Sequence, residues 1–213
     1  MTTIIVLGIV LTISLLVWIV WRLASRRQSL PCPSWLAWLV EMDNPFAKSY
    51  GSRTIIQRLD LRPGMKVLDV GCGPGRLSIP IAQAIGPEGT VVAVDIQPAM
   101  LRRAKDKAVA AGVTNVQFLE NAAGGGTLGD GEFDRALLVT VLGEIPDRRS
   151  ALKEIYESLK AGGILSVCEI IFDPHFQTRG TILGLAIPTG FQEHSFSGNR
   201  FSFILNLQRP GNP

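Results

Sequence analysis

Residues 3–21 run nineteen positions without a charge, and beyond them the chain breaks into short apolar runs separated by polar, glycine-bearing stretches. At helical rise the first run would extend ~28 Å, close to the hydrocarbon thickness of a bilayer, and so predicts one transmembrane helix. Later runs at 67–70, 90–94, 116–119, 133–139 and 164–171 have strand length and alternate with segments of helix length. Pro98 opens one such helix, which ends near Gly112, and another spans 150–159 before Gly162-Gly163 stops it. A helix near 177–187 then precedes strands near 191–196 and 201–207. Ser197-Gly198-Asn199-Arg200 separates those strands by a turn so short that they must pair antiparallel. Alternation at this pitch marks βαβ units. It predicts an α/β doubly wound sheet, mostly parallel, with an antiparallel C-terminal hairpin strand.

The first of these strands runs into Val67-Leu68-Asp69-Val70-Gly71-Cys72-Gly73-Pro74-Gly75, whose alternate glycines let the backbone turn sharply and approach a ligand where a Cβ would clash. Free N–H groups at the helix start that follows favour an anion. For a dinucleotide that is the pyrophosphate; for S-adenosylmethionine (SAM) it is the amino-acid carboxylate. The dinucleotide fingerprint G-x-G-x-x-G places its third glycine one position later, where this chain has Arg76, so NAD ranks second. The second strand ends in Asp95, twenty residues beyond Gly75, where a carboxylate can accept both hydroxyls of a ribose.

The segments V-L-D-V-G-C-G-P-G, V-V-A-V-D-I and L-K-A-G-G-I-L resemble the class I SAM-dependent methyltransferases, and most of all the branch containing the quinone C-methyltransferases, over residues 61–207. That resemblance implies a Rossmann-like sheet with SAM as cofactor. It makes Asp69, Gly71, Gly73 and Gly75 the wall around the methionine part, Asp95 the ribose ligand, and Ile96 a flank of the adenine. Asn121 stands where the family usually has an Asp that bonds the adenine amino group, a bond the Asn side-chain oxygen can also accept. Relatives commonly close over SAM with residues before the first strand, which would bring Tyr50, Gly51 and Arg53 to the cofactor. Two departures leave the acceptor open. Gly143-Glu144 replaces a His-rich pair, and residues 122–126 put a glycine run, read as flexible, where an acidic and apolar segment is usual.

The N-terminal run reads as a retained anchor rather than a cleaved signal. No Lys or Arg precedes it, no small-x-small site follows it, and Arg22, Arg26 and Arg27 come after it. Those arginines predict a single pass with the following domain cytoplasmic and only a residue or two of N-terminus across the membrane. Residues 1–66 hold eight Lys/Arg against three Asp/Glu, while the remainder is slightly acidic, so the overall +3 suits an anionic membrane surface and gives no reason to expect nucleic acid. All four tryptophans precede residue 40. Trp18 and Trp21 fall at the end of the apolar run, and Trp35, Trp38, Leu39 and Met42 follow helical spacing after Ser34. That second segment reads equally as an interfacial helix or as one packed on the domain core. The chain thus divides into an anchor at 1–28, a juxtamembrane and lid segment at 29–50, and a methyltransferase domain at 51–213.

Three scattered cysteines, at 32, 72 and 168, indicate neither a disulfide framework nor a zinc site, so no metal is expected. Methyl transfer from a sulfonium needs alignment in a dry site above all, and a base only for acceptors that must lose a proton. Glu144 after the fourth strand, and Asp173 and His175 after the fifth, are the candidates. His194 reads as structural. A bilayer-derived acceptor suits the anchor: a quinol, an isoprenoid, a phospholipid amine or a lipophilic thiol. A tethered SAM-binding module without catalysis and a nucleotide-binding oxidoreductase are the alternatives, and oligomeric state is not legible.

Overall fold

The computed structural model describes residues 2–28, 32–34 and 51–211. Helix α1 (Thr2–Gln28) carries the apolar run. Within it Ile5–Ala24 is long and apolar enough to cross a membrane, with a mean hydropathy of 2.3 and none of its window buried in the protein. The predicted helix around Trp35 and Trp38, and Tyr50, lie outside the described residues.

The domain begins with α2 (Ser52–Arg58) and β1 (Lys66–Val70). It continues through α3 (Ser78–Ile85), β2 (Thr90–Asp95), α4 (Pro98–Ala110), β3 (Val116–Glu120) and β4 (Phe133–Val139). It ends with α5 (Arg148–Ser158), β5 (Leu159–Ile170), α6 (Arg179–Thr189), β6 (Gln192–Gly198) and β7 (Ser202–Gln208). The sheet order is β3-β2-β1-β4-β5-β7-β6. The strands from β3 to β5 are parallel, and β7 returns antiparallel between β5 and β6. This is the Rossmann-like sheet with a reversed C-terminal hairpin that the strand pattern predicts. Strand order reverses between β1 and β4, which opens a crevice at their carboxyl ends.

Central strands are largely apolar because both faces are covered. Alternation sorts neighbours into two layers: Val67, Val91, Ala93 and Leu137 pack with Ile55, Ile81, Ile85 and Leu101 of α2, α3 and α4. Leu68, Val92, Val94 and Leu138 face the other way, onto Leu152, Ile155 and Ile182 of α5 and α6. The edge strand β6 carries Gln192, Glu193 and His194 exposed, polarity that protects an unpaired edge.

Three local outcomes differ from the sequence pattern. Helix α5 starts earlier than Ser150, because Asp147 caps it by accepting the Ser150 N–H at 3.0 Å. Strand β5 starts at Leu159 rather than after the glycine pair. Leu159 pairs with Phe133 and Ile164 with Arg135, and Gly162 at φ 80° absorbs the extra residues of that bulge. The glycine run at 122–126 is anchored instead of loose. The Glu154 carboxylate, 6% exposed on α5, accepts the N–H groups of Gly124, Thr127 and, at 3.1 Å, Leu128. Glu154→Ala should therefore remove the partner of three backbone donors, of which the Leu128 N–H is buried, and cost ~1–3 kcal/mol. Amide hydrogen exchange at 124–128 should quicken with it, and unchanged protection there would contradict the tie.

Candidate functional site

The crevice is built from the loop after β1. The N–H groups of Gly71 and Cys72 both donate to the Val94 carbonyl, at 2.7 and 3.0 Å, folding the loop across the end of β2. Gly71, Gly73 and Gly75 all have positive φ, at 71°, 53° and 80°. At Gly71 the space is as demanding as the conformation, since a Cβ would lie 2.4 Å from a methyl of Val141 on the loop after β4. A Cβ at Gly75 would press on Ala104 of α4. Asp69, 3% exposed, turns inward and accepts the Ser78 hydroxyl at 2.6 Å, tying β1 to the start of α3. Burial pushes its carboxyl up to about 6 despite that hydrogen bond.

Asp95 closes the opposite wall. Its two oxygens each take one backbone N–H, Oδ1 from Gln97 and Oδ2 from Gly73, both at 2.8 Å. Burial raises its pKa while those N–H groups oppose the rise. Each carboxylate oxygen keeps acceptor capacity for a diol, so this site fits a ribose-bearing cofactor. Ile96 beside it is 52% exposed, an apolar surface free for a planar base. Asn121 follows β3 at the same rim, its N–H on the Asp95 carbonyl at 3.2 Å. Its side chain makes a local turn, with the oxygen on the Ala122 N–H at 2.8 Å and the amide donating to Thr127.

The rim beyond β4 and β5 gathers the titratable candidates. Thr140, directly after β4, sits at φ 56°, a strained conformation for a β-branched residue. A Cβ on Gly143 would meet the His175 carbonyl at 2.0 Å, so the loops after β4 and β5 lie in direct contact. Burial, and secondarily the negative charge of Asp173, pushes Glu144 up to about 8, against a hydrogen bond from the Cys32 N–H. Asp173 Oδ1 accepts the His175 N–H at 2.7 Å, and His175 is 2% exposed. The structure therefore brings Glu144, Asp173 and His175 to one rim, with the imidazole packed inside it.

Sequence reasoning missed Glu169. It is 1% exposed near the end of β5, with Oε2 accepting the Gln177 N–H at 3.0 Å and Oε1 without a hydrogen-bond partner. Burial holds its pKa well above the carboxylate range. A carboxylate inside Val167-Cys168-Glu169-Ile170 was the available signal. Cys32 was also missed as a rim residue. Its carbonyl accepts Gln97 Nε2 at 2.9 Å while its N–H reaches Glu144, so this one residue bridges the end of β2 and the loop after β4.

Comparisons agree with this architecture. A family described as a methyltransferase domain matches residues 61–194. A demethylmenaquinone methyltransferase of Geobacillus stearothermophilus is 34% identical over 116 residues, 54% of this chain and 49% of that one. One from Listeria monocytogenes serotype 4a is 30% identical over 146 residues, 64% of this chain and 62% of that one. The chain thus spans about half to three-fifths of the length of these relatives. Among solved structures, a SAM-dependent methyltransferase from Aquifex aeolicus superimposes with a TM-score of 0.75 at 18% identity, covering 84% of this chain and 100% of that one. The [4+2]-cyclase SpnF superimposes with a TM-score of 0.67 at 19% identity, covering 76% of this chain and 80% of that one. A shared fold therefore leaves the reaction to the site.

The raised Glu144 carboxyl has a measurable consequence. Between its ordinary value of 4.5 and about 8, the folded protein holds a proton that the unfolded chain has released, so this group lowers stability as pH rises through that window. Glu144→Gln should melt above the parent at pH 8 by the equivalent of ~1–2 kcal/mol, after allowing for solvent screening, and match it near pH 4. Thermal melts of both proteins across pH check this; parallel curves would contradict it.

Proposed function

This chain belongs to the methyltransferase-domain family, and we propose that it is a SAM-dependent methyltransferase acting on a lipophilic acceptor from the bilayer, a quinol first among them. The observation that carries the reading is the Asp95 carboxylate, which holds the glycine loop by the Gly73 N–H and still has acceptor capacity for a ribose diol. Bound SAM would supply an electrophilic methyl group on a sulfonium. Asp69, Gly71, Gly73 and Gly75 would hold its methionine part, Ile96 and Asn121 its adenine, and Tyr50 would close over it.

On the acceptor side, a hydroxyl or ring carbon that must lose a proton would meet Glu144, whose carboxyl is poised near neutral pH. Asp173 and His175 would shape the same wall. Quinols are favoured by the demethylmenaquinone methyltransferase relatives, although Gly143-Glu144 departs from the His-rich pair of that branch. In this reading Ile5–Ala24 is a single membrane span, and the arginines after it hold the domain on the cytoplasmic side.

The test is product identification. Full-length protein in vesicles, given methyl-labelled SAM and a lipid extract, should transfer label to the apolar, quinone-containing fraction, and Glu144→Gln should slow turnover by ~10²-fold or more with SAM affinity retained. SAM binding without label in any fraction would identify a binding module instead. Stabilisation by NAD and not by SAM would favour the oxidoreductase.

A further inference from the structure

Helix α1 is fastened to the rim of the site. Arg22 Nη1 donates to the carbonyls of Ile171 and Asp173, at 2.9 and 3.0 Å, in the loop between β5 and α6. These carbonyls flank Phe172, which is 63% exposed. Arg22 is the first charge after the apolar run and lies six residues before the end of α1, or ~9 Å along the axis. The domain therefore reaches back alongside the helix to the level where the apolar run ends, rather than hanging beyond the helix terminus. Cys32, ten residues later in the sequence, is bound to Gln97 on the far side of the same rim. Leu119, 41% exposed, adds further apolar surface at the carboxyl end of β3.

We propose that this rim rests on the bilayer at headgroup depth with Phe172 inserted among the lipids. The acceptor is then an amphiphile whose reactive head lies at that depth while its tail stays in the membrane. This rests on reading α1 as a membrane span. Three features favour a bilayer as the occupant: the rim adjoins the exposed apolar surface of α1, Arg22 marks the boundary, and the sequence that follows is basic. Phe172 and the carbonyl pair by which Arg22 fastens its loop are thus part of how the enzyme meets its substrate.

Photocrosslinking tests this in the full-length protein, reconstituted in phosphatidylcholine–phosphatidylglycerol vesicles, with benzoylphenylalanine replacing Phe172, Ile9 or Val109 in turn. Val109 is 81% exposed near the end of α4, which runs back to the opposite edge of the sheet, and serves as the distant apolar site. Lipid adducts are expected at positions 9 and 172 and not at 109. Adducts at 9 without adducts at 172 would overturn the seated rim while leaving the span. No adducts at 9 would remove the span and the inference with it. With Arg22→Gln, adducts at 172 should fall severalfold while those at 9 persist, and an undiminished yield at 172 would overturn the role given to Arg22.

Discussion

One carboxylate organises the glycine-loop side of the crevice. Asp95 ends β2, and its oxygens take the N–H groups of Gly73 and Gln97, so the same group terminates a strand, fixes the glycine loop and holds the residue before α4. Desolvation opposes its charge, and two backbone donors hold it. A cofactor with a ribose diol would complete the coordination. The loop it fixes must in turn pass under Val141, which only a glycine at position 71 permits. The β2 and β4 walls of the crevice are thereby set against one another by a hydrogen bond on one side and a steric limit on the other.

The rim proposed to receive the acceptor is built differently, from loops locked by contact and by buried polar groups. Gly143 abuts His175, Gln177 bridges toward Glu169, and Arg148 reaches Gln177 and the Gly143 carbonyl. Burial above all, and secondarily the negative charge of Asp173, keeps Glu144 and Glu169 raised. Glu144, pushed up to about 8, can thus hold a proton at neutral pH. The fastening of α1 by Arg22 then places this half of the crevice, rather than the glycine-loop half, beside the apolar helix.

Most of the sheet was legible because burial on both faces leaves apolar runs that cannot be mistaken for surface, and the glycine loop was legible because its conformation restricts residue type. Features made by distant pairs were not. The Glu154 tie joins residues about thirty apart, and the Gln97–Cys32 bond joins residues sixty-five apart, and no local pattern announces either. The glycine run at 122–126 looked loose because its restraint comes from another helix. The early start of β5 was hidden because Gly162-Gly163, usually a stop, here absorbs a bulge. Glu169 was visible as a carboxylate in an apolar run, but its relation to Gln177 needed the fold.

The central claim is that Asp95 both ties the loop and receives the cofactor, and calorimetric titration of SAM into full-length parent and Asp95→Ala tests it most directly. Loss of the charged hydrogen bonds should weaken binding by ~30-fold or more, while NAD shows no heat with either protein. SAM bound equally well by both proteins would contradict the account.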